Sequence, residues 1–81
     1  MISEAVKERL SRYVSSGIPP GGFLLAVLSN DLVQACGQAD DENRAALFDI
    51  VRYVYNCIPA ACWGDKQTVA EWINHDGKEG A

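Results

Sequence analysis

The sequence of 81 residues has little histidine, the side chain that most often serves as a catalytic acid or base. Its one histidine, His75, lies close to the C-terminal end. A catalytic acid, base or nucleophile has to be held by packing on a rigid element, and a terminal segment does not provide that. We therefore expect a non-enzymatic protein that has no catalytic residue and no cofactor.

An excess of positive charge is also missing. The sequence has seven lysine and arginine residues and eleven aspartate and glutamate residues, which gives a net charge of −4. The one basic cluster, Lys7 with Arg9 and Arg12, is short. A protein that binds a nucleic-acid duplex normally carries a basic stripe, so we expect no long nucleic acid among the partners.

Long apolar runs are absent as well. The run from 23 to 28 has six apolar residues, whereas a membrane-spanning helix needs about 20. No cationic start followed by an apolar run and a small-residue cleavage site marks a secretory signal. We expect a soluble cytoplasmic protein that does not bind membranes.

The sequence lacks an even number of cysteines, since it has three, Cys36, Cys57 and Cys62. An intrachain disulfide framework would leave one thiol over, which favours a reducing compartment. Together with His75 the three thiols make up the inventory of a zinc site, but the spacing of Cys57 and Cys62 lacks the compact knuckle of zinc folds. Reduced, buried thiols and no bound metal are the expectation.

What the sequence does have is helical patterning. Ser3 can cap a first helix with an apolar stripe through Val6, Leu10, Tyr13 and Val14, and Gly17 can end it. The run from 23 to 28 is rich in leucine and alanine and has no period-2 partner elsewhere, so we predict a helix rather than a strand. A break near Ser29 follows, with Asn30 or Asp31 capping a short segment through Cys36.

The clearest helix is predicted over 40–58, between the N-cap Asp40 and Pro59. Its predicted core stripe is Leu47, Ile50, Val51, Val54 and Ile58, and Phe48 and Tyr55 widen the apolar face enough to touch two neighbours or another subunit. A last helix begins at Asp65 and packs through Val69, Trp72 and Ile73.

These elements predict an all-α fold, a compact bundle of four to five short helices. We expect one domain over residues 1–75 and a frayed tail over 76–81. Small cores often need self-association to reach adequate stability. The sequence leaves a monomer and a homo-oligomer equally open.

Three segments carry a family resemblance: "GIPPGGFLLAVLSNDL", "ADDENRAALFDIVRYVYN" and "IPAACWG". With them the chain resembles a group of small proteins encoded by bacteriophages and prophages, over about residues 13 to 72. The resemblance implies a phage accessory protein in the cytoplasm of an infected or lysogenic bacterium, and it brings no catalytic residue. This chain departs from the group at Asp65 and Lys66, where Ser-Pro is common, and so loses a rigid helix start.

The hinge "PPGGF" raises a functional question. Two glycines at a helix start can leave backbone N–H groups open to an anion at the positive end of the helix dipole. Alternatively, the hinge only turns the chain so that Phe23 reaches the core. The turn "CWGD" is similarly ambiguous, because its tryptophan can be a core residue or a stacking surface. The candidate ligand-binding residues are Gly21, Gly22, Phe23, Arg9, Arg12, Trp63 and Gly64.

Two functions therefore remain open. The first is a counter-defence factor that binds and sequesters a small anionic ligand of the nucleotide type. The second is a protein-interaction module that inhibits or adapts a host or phage protein. A pocket in which Gly21, Gly22, Trp63 and an arginine converge favours the first function, and an exposed apolar patch favours the second.

Overall fold

The computed structural model describes residues 2–77, and this part of the chain contains helices and no strand. The predicted all-α class is confirmed, including the helical state of the run from 23 to 28. The elements are α1 (Glu4–Ser16), α2 (Gly22–Leu28), α3 (Leu32–Gln38), α4 (Asp41–Ala45), α5 (Leu47–Cys57), a 3₁₀ turn (Ala60–Cys62) and α6 (Lys66–Asn74).

Side-chain caps fix the starts of four helices where the sequence predicts them. Each cap accepts a hydrogen bond from the backbone N–H three residues later, which satisfies a donor that the helix itself leaves open. In the case of Asp65, the bond from the Thr68 N–H lowers the pKa of the carboxyl group. The caps are Ser3 for α1, Asp31 for α3, Asp40 for α4 and Asp65 for α6.

The predicted helix over 40–58 is in fact two helices, α4 and α5. Ala46 separates them with φ −100° and ψ 4°, well away from the helical values near −63° and −42°. Its N–H still bonds the Glu42 carbonyl, and its own carbonyl accepts the Ile50 N–H. The chain therefore changes direction at Ala46 without leaving its backbone groups unpaired.

The core is centred on Tyr13, whose side chain is fully buried. Its hydroxyl donates to the Cys62 carbonyl at 2.5 Å, and its backbone carbonyl accepts the Trp72 Nε1–H at 2.9 Å. These two bonds join α1 to the 3₁₀ turn and to α6. The buried apolar residues around them are Val6, Leu10, Phe23, Leu24, Ala26, Leu28, Ala35, Ala46, Ile50, Val54, Ile58, Cys62, Val69 and Trp72.

Burial of Tyr13 predicts a loss of stability at alkaline pH. Burial, and secondarily the neighbouring Cys62, raise the pKa of the Tyr13 hydroxyl, whereas the unfolded-state value is about 10. A raised pKa means that the stabilisation is complete below about pH 10 and is lost above it, by at most ~1.4 kcal/mol per pH unit. Urea titrations from pH 8 to 11 should show this slope.

The variant Tyr13→Phe is the control for this slope. It should be less stable than wild type at pH 8 by ~1–3 kcal/mol. An equally steep loss of stability with pH in that variant would contradict the assignment to Tyr13.

The predicted core stripe is wrong at one residue, Val51. Val51 is 46% exposed, while Val54 is 2% exposed. The stripe that faces the core runs through Ile50 and Val54, so Val51 lies toward the open side of α5. Two valines of one helix thus differ in burial alone.

This difference predicts unequal costs for the same substitution. Val54→Ala should lower the free energy of unfolding by ~2 kcal/mol, because it removes buried methyl groups and leaves a cavity. Val51→Ala should cost well under ~1 kcal/mol, as surface changes generally do. Equal urea midpoints for the two variants would show that α5 is rotated relative to this description.

Candidate functional site

The hinge between α1 and α2 contains one backbone position that needs glycine. Gly21 has φ 99° and ψ 160°, which side chains rarely adopt. Its carbonyl accepts the Leu25 N–H at 2.8 Å, so it directly precedes α2. Gly22 is the first residue of α2 and does not have a positive φ.

The two glycines therefore predict unequal results for alanine substitution. No atom lies within 4 Å of a Cβ built on Gly21, so Gly21→Ala should cost ~1–2 kcal/mol through backbone strain alone. At Gly22 an added Cβ meets only the exposed end of the Gln38 side chain, which can rotate away. Gly22→Ala should change the free energy of unfolding by less than ~0.5 kcal/mol. Thermal melts compare the two, and a more destabilised Gly22 variant would contradict the geometry.

Three of the predicted ligand residues come together in a surface hollow. Arg9, Arg12 and Gly21 line it with residues 18–20, and its volume is about 340 Å³. The Glu8 carboxylate pairs with the Arg12 guanidinium at 2.5 Å. Helix α2 has seven residues, so its dipole is short. The hollow thus offers an anion two arginines, Arg12, which is already paired with Glu8, and Arg9.

The other predicted residues lie elsewhere. Phe23 is buried in the core. Gly22 faces Gln38 in a cleft of about 310 Å³ between α2, α3 and α6. Trp63 and Gly64 follow the 3₁₀ turn, where the Gly64 N–H donates to the Leu28 carbonyl at 2.8 Å. The seven residues therefore do not form one pocket.

Trp63 is part of a different surface, between α3 and α5. The half-buried indole donates from Nε1 to the Ile58 carbonyl at 3.1 Å, and its ring meets Tyr55 edge to face with centroids 6.2 Å apart. A groove of about 180 Å³ runs beside it. Leu32 and Val51 line this groove from the two helices.

An apolar stripe on α5 adjoins the groove. Phe48, Val51 and Tyr55 are spaced at i, i+3 and i+7, which places them on one side of the helix. Phe48 and Tyr55 are each 73% exposed, and Leu32 across the groove is 66% exposed. We call this surface the α3–α5 face, made of Leu32, Leu47, Phe48, Val51, Tyr55 and Trp63.

One acidic group at the edge of this face, the Asp31 carboxylate, is already paired. Asp31 lines the groove and caps α3, and its second carboxylate oxygen lies 3.4 Å from the Lys66 ammonium. The acidic side chain therefore brings little unbalanced charge to the rim. The middle of the α3–α5 face is apolar.

Sequence reasoning found half of this surface. It predicted that Phe48 and Tyr55 extend the apolar face of their helix toward a neighbour or another subunit, but it placed Val51 in the core and gave Leu32 no role. The available signal was the spacing of Val51, three residues after Phe48 and four before Tyr55. That spacing assigns all three to one side of a helix.

The groups considered for metal or nucleophilic chemistry are dispersed. The expectation of buried thiols is wrong for Cys36 and Cys57, which are exposed at the surfaces of α3 and α5, whereas Cys62 is buried. His75 is an exposed residue that follows α6. Between residues 2 and 77, no three histidine, cysteine, aspartate or glutamate side chains are grouped as a metal ion would require.

Across the same residues, no helix combines the length and apolar character needed to cross a membrane. Of the predicted tail, residues 78–81 lie outside the described residues, and Asp76 and Gly77 form a hydrogen-bonded turn.

Comparison with known proteins does not assign this chain to a group. No protein-family model, no curated protein and no solved structure matches it.

Proposed function

We propose that the protein is a non-enzymatic protein-interaction module and that its α3–α5 face contacts another polypeptide. The observation that carries this proposal is the exposure of Leu32, Phe48 and Tyr55, each about two thirds or more, on one face. Monomeric soluble proteins rarely expose contiguous apolar patches larger than a few hundred Å². In keeping with the phage resemblance, we propose the cytoplasm of an infected or lysogenic bacterium as its setting.

The composition of the face supports a protein partner. Aromatic residues are enriched in protein interfaces, and charged residues are depleted at their centres. Phe48, Tyr55 and Trp63 supply the aromatic area, and the edge-to-face contact between Tyr55 and Trp63 holds two of these rings in place. Preordered rings lose less conformational freedom on binding than mobile ones.

The proposal is tested by photocrosslinking in bacteria that express the protein. The crosslinking amino acid p-benzoylphenylalanine replaces Phe48, and in a matched control it replaces Ile18, which is also exposed and apolar but lines the arginine hollow. We expect irradiation to produce polypeptide adducts from position 48 and few from position 18. Equal adduct yields at the two positions would contradict the proposal.

A second candidate function is the binding of a small anion at the hollow of Arg9, Arg12 and Gly21. The observation in its favour is the convergence of two arginines on one concave surface. Thermal melts with cyclic and linear nucleotides test it, with inorganic phosphate as the reference. Stabilisation by a nucleotide that Arg9→Ala abolishes would establish this function, and unchanged melting temperatures would dismiss it.

A further inference from the structure

We propose that the polypeptide on the α3–α5 face is a second copy of this chain, packed about a two-fold axis. In this arrangement Phe48 of each copy enters the groove between α3 and α5 of the other. The inference rests on the proposed function, because it names the partner of the same face.

The size of the face fits a dimer interface. Four of its side chains are exposed by between 46% and 73%. Together they present an apolar area on the order of 600 Å², and a standard interface covers about 800 Å² on each partner. The face thus accounts for most of the area that a standard interface buries on each partner.

The shape of the face is complementary to itself. A two-fold interface uses the same patch on both subunits, so one patch must carry both the projection and the recess. Phe48 is the projecting side chain, and the groove lined by Leu32, Val51 and Trp63 is the recess. Its volume of about 180 Å³ suits one aromatic ring, since an apolar cavity of roughly 150 Å³ holds benzene.

Electrostatics permit this contact despite the net charge of −4. At the edge of the groove, Lys66 offsets the charge of Asp31 at 3.4 Å. Two copies that meet through the α3–α5 face bury mainly apolar side chains and do not bring unpaired carboxylates of Asp31 together. Repulsion between the Asp31 carboxylates of the two chains is thus weak, and repulsion between more distant charges is screened by salt.

Sedimentation equilibrium tests the inference on the full chain, with a reductant present to prevent intermolecular disulfides. Over about 1 to 100 µM, the wild-type protein should have about twice the chain mass of 8.8 kDa. At the low end of this range Phe48→Glu should sediment mainly as a monomer with unchanged helical circular dichroism, because its dissociation constant rises on the order of 100-fold or more. Ile18→Glu adds the same charge outside the face and should remain a dimer.

Several outcomes overturn the inference. A wild-type mass near 8.8 kDa at every concentration contradicts it, and so does a dimer that persists in Phe48→Glu. Should Phe48→Glu lose its helical signal, Tyr55→Lys replaces it as the test variant, with monomer again the expected result. If Ile18→Glu dissociates as readily as Phe48→Glu, the dimer is not specific to this face.

Crosslinking of the purified protein separates failure of the dimer from failure of the proposed function. With p-benzoylphenylalanine at position 48, the dimer predicts adducts to Leu32, Val51 or Trp63 of a second copy. Crosslinks in cells to a different polypeptide, from a chain that is monomeric when purified, would overturn the dimer and retain the proposed function. No polypeptide adduct in either experiment would overturn both.

Discussion

Trp72→Ala is expected to lower the free energy of unfolding by ~3–5 kcal/mol, the loss typical of a buried aromatic residue. Trp72 lies on α6, is 9% exposed and packs in the core. The substitution also removes the hydrogen bond from Nε1–H to the Tyr13 carbonyl, which keeps its bond from the Gly17 N–H, and the lost bond adds about 1 kcal/mol to the cost. Small domains have total stabilities of about 5–15 kcal/mol, so the variant should be largely unfolded well below the wild-type melting temperature.

Trp63→Ala is the matched control for this result. Trp63 is half-buried, and its Nε1–H bonds the Ile58 carbonyl at the edge of the α3–α5 face. The substitution Trp63→Ala should lower the free energy of unfolding by clearly less, ~1–2 kcal/mol. Urea denaturation followed by far-ultraviolet circular dichroism compares the two variants. A Trp63 variant as unstable as the Trp72 variant would mean that the centre of the core has been misplaced.

Gly17→Ala is expected to cost ~2–4 kcal/mol, because backbone strain and a steric clash add at this position. Gly17 ends α1 with φ 68°, in the left-handed region that alanine avoids. A Cβ there would lie 2.6 Å from the Gly77 nitrogen and 2.9 Å from the Trp72 carbonyl oxygen. Both are backbone atoms, so the end of α6 would have to shift away from α1.

Gly37→Ala provides the control with the opposite sign. Gly37 lies within α3, lacks a positive φ and has no atom within 4 Å of an added Cβ. Alanine should therefore stabilise the protein by up to ~1 kcal/mol through helix propensity. Thermal melts of the two glycine variants should move in opposite directions. A neutral Gly17→Ala would rule out the close packing of α1 against the turn that follows α6.

Local chemistry made much of the fold predictable. Ser3, Asp31, Asp40 and Asp65 cap helices because their oxygens reach the N–H groups of the next turn, and this depends on a few neighbouring residues alone. The end of α1 at Gly17 has the same local origin. Such features can be read from sequence without knowing how the helices pack.

Features that depend on packing could not be predicted in this way. The apolar surface of α5 is wide, so its sequence alone did not decide whether Val51 faces the core or solvent. The neighbouring helices decide it, by covering Ile50 and Val54 and leaving Val51 on the open side. The break at Ala46 carries no glycine or proline signal at that residue.

The candidate site shows the same limit. The sequence placed Gly21, Gly22 and Trp63 at two chain reversals, and reversals can be recognised from glycine and proline. The surface to which each reversal belongs depends on which helices pack beside it. In the structure Gly21 lies beside the arginines of α1 and Trp63 beside α5, on separate surfaces.

Carbene labelling in intact bacterial cells measures whether protein covers the α3–α5 face. In the isolated chain Phe48 and Tyr55 are each 73% exposed and Ile18 is 51% exposed, so an uncovered face would label at least as strongly as Ile18. With the face covered, we predict the reverse order, with Phe48 and Tyr55 labelled several-fold less than Ile18. Labelling of Phe48 and Tyr55 at or above the level of Ile18 would show that no protein covers the face.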